Sequence, residues 1–595
     1  MRPTLFAALL LAMTPNLHTA DISTRRQALD RLLDEQWQYT LRQTPELATI
    51  IGDYRYNDRL SDASLAHVEQ ERKDAEAFLK RFQAIDTAGF PEQEVLNRQL
   101  MVRNLKENLE SISLKLYLMP VDQFNGIHLG LAQFVPLIPF DTAKQYADYI
   151  SRLRQIPRLI DQVIQTLEQG KRDRLMPPKF LLENVVSQVQ SIAQPAGEAN
   201  VFGLPATKFP AAIPEADRKP LRDAILQAVD NEVRPAYTKL ANFIAQDYAP
   251  FGRTEPGEWA LPNGDALYRF AVKQQTTTSM DPEAIHQLGL NEVGRIHADM
   301  LKIAKRQGFS DRKSFQESLK TNAKLIPTSR EDILNAYRGY IAGMEPELPK
   351  LFGLLPKTKV EVRPVQEYRE KEAAAAEYEQ GTPDGSRPGI VYVNTGDYAH
   401  RTKMSIESTS YHEAIPGHHL QISIAQTLPG LPPFRQQGSY TAYTEGWALY
   451  SERLGKDIGF YQDPLSDYGR LSDELLRACR LVLDTGVHYK HWTREQMIAY
   501  FRENSGEDEP DIQAETDRYI VTPGQALAYK LGQLKILELR ALAEKELGPK
   551  YDIRAFHDEI LNGGALPLDV LDTRTVAWIQ AVKAGAAQPP TEPRL

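Results

Sequence analysis

Three histidines and a carboxylate are packed into Tyr411-His412-Glu413-Ala414-Ile415-Pro416-Gly417-His418-His419-Leu420-Gln421, and Glu445 follows in Tyr443-Thr444-Glu445-Gly446-Trp447. A hydrolytic zinc site needs two imidazoles and a carboxylate on the metal, an open position for water, and a second carboxylate to take the water's proton. That inventory predicts a bound Zn2+. In the common arrangement the two histidines stand four apart on one helix. Here the fourth position after His412 is Pro416, and His418 and His419 lie six and seven positions on. Six residues of unbroken helix rise about 9 Å, whereas both ligand nitrogens must lie within roughly 2.1 Å of one ion. Pro416 has no N–H and disfavours helical geometry at Ile415, and Gly417 permits almost any backbone angle. Residues 414–416 are therefore expected to loop outward and return His418 beneath His412.

On this reading His412 and His418 are ligands, with His419 the alternative to His418. If His418 binds, His419 orients a ligand or meets substrate. Glu445 is the third ligand, on a helical run (Tyr443 to Leu454) that suits an antiparallel return. Glu452, two turns further, reads as an outer partner or an ion pair. Glu413, beside the first ligand, is the expected general base.

Peptide hydrolysis also needs a donor for the developing oxyanion. The stretch from Arg518-Tyr519 to Pro523-Gly524-Gln525-Ala526-Leu527-Ala528-Tyr529 offers one. Pro523 reads as a helix start, which puts Gln525 and Tyr529 on one face. Tyr529 or Tyr519 is the candidate donor, Gln525 a substrate contact, and Arg518 a bidentate partner for a substrate carboxylate. An aromatic core contact and a surface ion pair explain these residues equally well. His488 and His491 lack an obvious third ligand and read as a helical surface or groove lining. The run Tyr392-Val393-Asn394-Thr395 could present a strand edge to a substrate backbone, with Asn394 either bonding substrate or capping the strand end.

Helical periodicity dominates the elements that must position these groups. Arg25 to Gln43, Leu65 to Ile85, Glu92 to Ser113, Thr142 to Gly170 and Lys219 to Tyr248 carry apolar residues at three- and four-residue intervals. Asp281-Pro282-Glu283-Ala284 is a capped helix start. Strand-like runs are confined to Lys359 to Val365 and Gly389 to Thr395, with a helical or mobile charged segment, Tyr368 to Gly381, between them. The predicted fold is mainly α, with a small β-sheet beside the active site. Pro- and Gly-rich punctuation falls at 194–214 and 252–265.

The 595 residues carry a net charge of -9, which argues against nucleic-acid binding. The run from Arg470 to Arg480 is interleaved with acids and reads as a solvated helix face. Met1-Arg2-Pro3-Thr4, an apolar run from Leu5 to Met13 and a polar stretch ending at Ala20 resemble a secretory signal. No cysteine lies nearby for a lipid anchor, and no later run is long and apolar enough for a membrane span. The lone Cys479 forms no internal disulfide, and a structural zinc would more often recruit cysteines. A periplasmic or secreted protein without stable membrane insertion is expected, as monomer or dimer.

The same residues closely resemble a bacterial domain-of-unknown-function family, number eight-eighty-five, marked by the string HE-A-x-P-G-H-H-L-Q. Further matching landmarks are Leu261-Pro262-Asn263-Gly264, Thr276-Thr277-Thr278, Tyr392 to Thr395, Thr444-Glu445-Gly446-Trp447-Ala448 and the stretch from Arg518 to Lys530. That family is itself similar to the mostly helical zinc carboxypeptidases and oligopeptidases of the gluzincin group, which carry HE-F-G-H-A-L. Aligning Gly417-His418-His419-Leu420 with G-H-A-L again selects His418 and leaves two extra residues between the ligand histidines. The resemblance implies a zincin-like helical clamshell with a deep groove and short-peptide substrates. Residues 1–20 are then a signal peptide and 21–595 a single domain, with an N-terminal helical part (21–355) and a metal-site part (356–595). The expected function is an exported zinc metallopeptidase. A zinc amidase acting on cell-wall peptides and a non-catalytic peptide-binding protein of the same fold are the alternatives.

Overall fold

Most of the predicted helices form with nearly the predicted bounds in the computed structural model, which describes residues 21–367, 370 and 373–586. The expected signal at 1–20 and the Pro-rich tail from 587 lie outside the described residues. Helices Ile22–Gln43, Leu65–Ala84 and Glu92–Ser113 bury Leu29, Leu33, Phe78, Phe82, Met101 and Leu105 against one another. The long helix Ala143–Asp173 starts at a reciprocal Thr142/Gln145 capping box. Its apolar stripe packs on Lys179–Ala193, Glu215–Ala228 and Arg234–Phe243. The periodic stretch 219–248 is not one helix. Two single π-turns, Val229–Val233 and Ile244–Tyr248, interrupt it.

Asp281 caps Pro282–Arg306 by accepting the Glu283 N–H. That helix lies along Pro464–His488, and the approach is close: a Cβ on Gly289 would sit 2.7 Å from Leu481 Cβ. Ion pairs tie the two helices together. Lys530, fully buried, bonds Glu474 at 2.7 Å and Glu292 at 3.0 Å. Arg470, Arg477 and Arg480 are likewise largely withdrawn from solvent. The solvated-face reading of 470–480 is thus incorrect, because the acids paired with these arginines come from neighbouring turns and other helices.

The sheet has three strands in the order β1-β3-β2, with β1 Val360–Pro364, β2 Ala376–Glu379 and β3 Gly389–Val393. β1 runs parallel to β3 and β2 antiparallel to it. Ala376–Glu379 is a strand where helix or mobile chain was expected, since pairing with β3 outweighs the helix preference of Ala and Glu. β3 is central, so it offers no free edge to a substrate; β2 is the outer strand on that side.

One apolar core joins the sheet to the elements carrying the motif residues. Val391 and Val393 of the sheet share it with Tyr411, Leu420, Ile424, Tyr443, Trp447, Tyr450, Ala528 and Ile536. Four helices thereby meet: Ile406–Glu413, His418–Thr427, Thr441–Asp457 and Gln525–Leu547.

Candidate metal centre

The helix Ile406–Glu413 ends directly after His412 and Glu413, and a new helix opens at His418. Between them the backbone leaves helical space at Ala414 (φ -103, ψ -103) and Gly417 (φ -84, ψ -128), and the Ile415–Pro416 peptide is cis. Gly417 presses on the end of the first helix: a Cβ there would lie 2.0 Å from the His412 carbonyl oxygen and 2.3 Å from that of Tyr411. A broken helix leaves carbonyls without partners. The helix Thr441–Asp457 supplies two of them, as Ser451 Oγ donates to Tyr411 O at 3.2 Å and Trp447 Nε1 donates to Pro416 O at 2.9 Å. The helix that carries Glu445 therefore also clasps the loop between the histidines.

This folding brings His412, His418 and Glu445 together, with one ligand atom from each lying within 4.8 Å of the others. Glu445 Oε2 stands 3.6 Å from His412 Nε2 and 3.4 Å from His418 Nε2. Tetrahedral zinc with bonds near 2.1 Å separates its ligand atoms by about 3.4 Å. Glu445 Oε2 is buried and accepts no hydrogen bond, although a buried carboxylate oxygen is costly to leave unpaired. The donor set and this orphaned oxygen both fit a divalent metal ion.

The electrostatics agree. Burial disfavours a charged His412, yet Glu445 and Glu452, on its two nitrogens, raise its pKa to about 10. Against burial, which would raise it, the two imidazoles hold the Glu445 carboxyl well below the usual range. The pocket is thus built to hold positive charge, and a metal ion competes there with a proton. Glu452 Oε1 accepts from His412 Nδ1 at 2.8 Å, which fixes the ring so that Nε2 faces Glu445. Glu413 is driven above the usual carboxylate range by burial, partly offset by His412 and His418.

Tyr529 reaches the same place from the helix Gln525–Leu547. Its ring lies nearly parallel to that of His412, with centroids 6.5 Å apart. The helix is seated by close backbone contact, since a Cβ on Gly446 would lie 2.4 Å from Gly532 Cα. Its start is pinned by Asp484, which accepts the Gly524 N–H at 2.8 Å and the Tyr268 hydroxyl at 2.7 Å. Arg518 Nη2 donates to Gln525 Oε1 at 3.1 Å and to Tyr529 Oη at 3.3 Å, and Gln525 Nε2 donates to the same hydroxyl at 3.2 Å. Both of these bonds are accepted by the phenol oxygen, so the Tyr529 proton is free to be donated outward.

Other predicted contacts are turned elsewhere. His419, one residue along the helix from His418, is buried on its far side. Its Nε2 donates to Thr358 O at 3.0 Å and its Nδ1 meets Tyr378 Oη at 3.0 Å, so both nitrogens are occupied within the fold. Asn394 spends its amide on the loop before β2, donating to Glu370 O and Ala373 O and accepting from Gly396 N. It is a structural cap. Tyr519 is fully buried, donating to Glu515 and accepting from Arg480, so it cannot serve as the oxyanion donor. His488 bonds Glu258 N and Tyr519 O, and His491 stacks on Trp259 at 4.3 Å; neither lines the centre. Sequence reasoning missed the Trp447 clasp, for which the spacing from Glu445 was the only signal. It also missed Arg480, whose guanidinium lies 4.5 Å above the Tyr529 ring.

A family model described as "Bacterial protein of unknown function (DUF885)" matches residues 45–574. The chain belongs to this family. Its fold is also that of a solved structure, "the putative lipoprotein from Colwellia psychrerythraea". The two share 31% identity at a TM-score of 0.88, covering 93% of this chain and 99% of that one. A second solved structure, "a putative lipoprotein of unknown function from Shewanella oneidensis", matches at 18% identity and a TM-score of 0.68, over 94% of this chain and 100% of that one. This second likeness bears on the fold alone. No functionally curated protein matches the sequence.

Proposed function

We propose that this member of the DUF885 family is an exported zinc metallopeptidase that hydrolyses short peptides. The observation that carries the reading is the unpaired, buried Glu445 oxygen poised between two imidazole nitrogens, with Glu413 adjoining. His412, His418 and Glu445 would hold the zinc, which when bound supplies Lewis acidity and lowers the pKa of water toward neutrality. Glu413 takes the proton of the attacking water and returns it to the departing amide nitrogen. Tyr529 donates its free hydroxyl proton to the carbonyl oxygen as charge develops there.

Strand β2 lies beside the centre, with the Tyr378 ring 6.5 Å from that of His418. Export rests on the signal-like N-terminus and on the description of the relatives as lipoproteins. Among the described residues no helix is long and apolar enough to cross a membrane.

The test pairs zinc analysis with a peptide library. Protein purified without chelators or a histidine tag should carry about one zinc per chain and cleave library peptides. Glu413→Gln should retain the metal and lose turnover by at least 100-fold, the lower range for a lost general base. Binding of peptides without cleavage by the unmodified protein would replace the enzyme by a peptide-binding protein of the same fold.

A further inference from the structure

A second site shares the exposed face of the helix that carries Glu445. Over the first two turns of Thr441–Asp457, Ala442, Tyr443, Gly446 and Trp447 are buried, while Thr441, Thr444 and Glu445 remain partly exposed. Thr441 precedes Glu445 by four residues, so it lies on the same face, about 6 Å back along the axis. At Thr441 a cavity of about 450 Å³ opens between the start of this helix, the helix Glu92–Ser113 and the helix Gly264–Thr276. Ser439, in its wall, lies 2.9 Å from Thr444 between hydroxyl oxygens, which joins the cavity to the turn bearing the metal ligand.

The lining is unlike that of a common apolar ligand pocket. Among the described residues it holds no aliphatic and no basic side chain, only amides, hydroxyls, one carboxylate and the Tyr440 ring. The fold sets which end of each amide is left for a ligand. Tyr440 Oη donates to Asn104 Oδ1 at 2.9 Å and Thr441 Oγ1 donates to Gln275 Oε1 at 2.8 Å, so these two amides keep their NH2 donors. Asn108 is turned the other way, its Nδ2 donating to Glu71 Oε1 at 3.0 Å and its Oδ1 left to accept. Gln274 has no side-chain hydrogen bond among the described residues and offers both ends.

The charges around the cavity are matched to one another. Arg103 pairs with Glu107 of the lining at 2.9 Å and with Asp569 at 2.8 Å, and Lys273 pairs with Glu110 at 2.6 Å. An anion finds no cation in the wall, and the one carboxylate there already has its arginine. An apolar group would strip the amides of water and give nothing back. A sugar ring answers them, because each ring hydroxyl donates and accepts at once, while its C–H face can lie on the ring of Tyr440.

We infer that this cavity binds an uncharged sugar ring, held by the amides of Asn104, Asn108, Gln274 and Gln275. Resting on the peptidase reading above, the substrate is then a peptide that carries a sugar. An extended chain advances about 3.5 Å per residue, so the sugar is attached about two residues from the bond that is cut.

Sugar binding is measured apart from cleavage. Zinc-loaded protein is titrated with methyl β-N-acetylglucosaminide and with methyl β-glucoside, followed by saturation-transfer NMR. At least one should bind with a Kd of about 10 mM or tighter, and Asn104→Ala combined with Gln274→Ala should weaken it at least tenfold. Pentapeptides of alanine with a single serine, bearing β-linked N-acetylglucosamine on that serine at each position in turn, are then titrated calorimetrically into zinc-loaded Glu413→Gln protein. The best of them should bind at least tenfold tighter than the same peptide without sugar, and the double substitution should remove that gain. Absence of sugar binding, sugar binding that survives the double substitution, or a glycopeptide within twofold of its bare peptide overturns the inference. So does equal affinity for Ala-Ala-Gln-Ala-Ala, which would make the cavity a site for a polar side chain. Should the double variant fail to fold, Gln274→Ala alone carries the comparison, since it breaks no hydrogen bond among the described residues. Failure of the peptidase reading shows separately, as sugar binding without cleavage of any peptide by the unmodified protein.

Discussion

Replacing Gly417 by Ala tests whether the looped backbone between the histidines builds the metal centre. The new Cβ would lie 2.0 Å from His412 O, and real Cβ contacts essentially never fall below 3.0 Å, so the two segments must part by about 1.0 Å. The obstacle is backbone on both sides, with no flexible side chain to swing away. His418 is the next residue, so the displacement passes straight to a ligand. Zinc–nitrogen distances tolerate only about 0.2 Å of error, and a shift five times larger removes His418 from coordination. Loss of an outer partner alone typically weakens metal binding 10- to 100-fold, so loss of a direct ligand should cost at least about 100-fold. Overpacking the loop should also lower stability by about 1–3 kcal/mol. Chelator-competition titration with zinc measures the affinity, and calorimetric unfolding of the metal-free protein measures the strain. Gly294→Ala is the control, because a Cβ there meets nothing within 4 Å. If Gly417→Ala binds zinc within threefold of the unmodified protein, the argument that this backbone contact sets the ligand geometry is wrong.

Two further perturbations probe the supports around the centre. Trp447→Phe keeps a smaller aromatic ring but leaves Pro416 O without its donor, a loss of about 1–3 kcal/mol that should weaken zinc binding roughly tenfold; unchanged affinity in the same titration would show the clasp to be idle. Burial lifts Asp484 to about 7, so it stays protonated in the folded protein at pH values where an unfolded aspartate has already ionised. Its contribution is complete below about pH 4 and is lost as the pH rises toward 7, at up to about 1.4 kcal/mol per pH unit. Asp484→Asn lacks this dependence, so the melting-temperature advantage of the unmodified protein over the variant should shrink from pH 4.5 to 7. A gap that stays constant across that range would contradict it.

Legibility in the sequence followed the range of the interactions. The broken ligand segment was readable because Pro416 and Gly417 act on their immediate neighbours, and Glu445 was readable because a helix periodicity surrounds it. The fate of His419 was not. It differs from His418 by one helical step, and only the arrival of Thr358, from the segment before β1, and of Tyr378, from β2, shows which imidazole turns away. Asn394 and Tyr519 failed for the same reason, their partners Glu370 and Arg480 being set by tertiary packing. The strand Ala376–Glu379 is composed largely of helix formers and exists because β3 pairs with it. The buried arginines looked solvated because nothing local reveals that Glu515 and Glu452 lie against them.

The contact between Gly446 and Gly532 limits which variants of this protein can exist. Each glycine abuts the other's backbone, so enlarging one cannot be offset by shrinking the other. A library that randomises Gly446 and Gly532 together should therefore return glycine at both positions in every folded clone. Chemistry at this centre can be retuned from its rim, while the spacing between the Glu445 helix and the Tyr529 helix stays as it is.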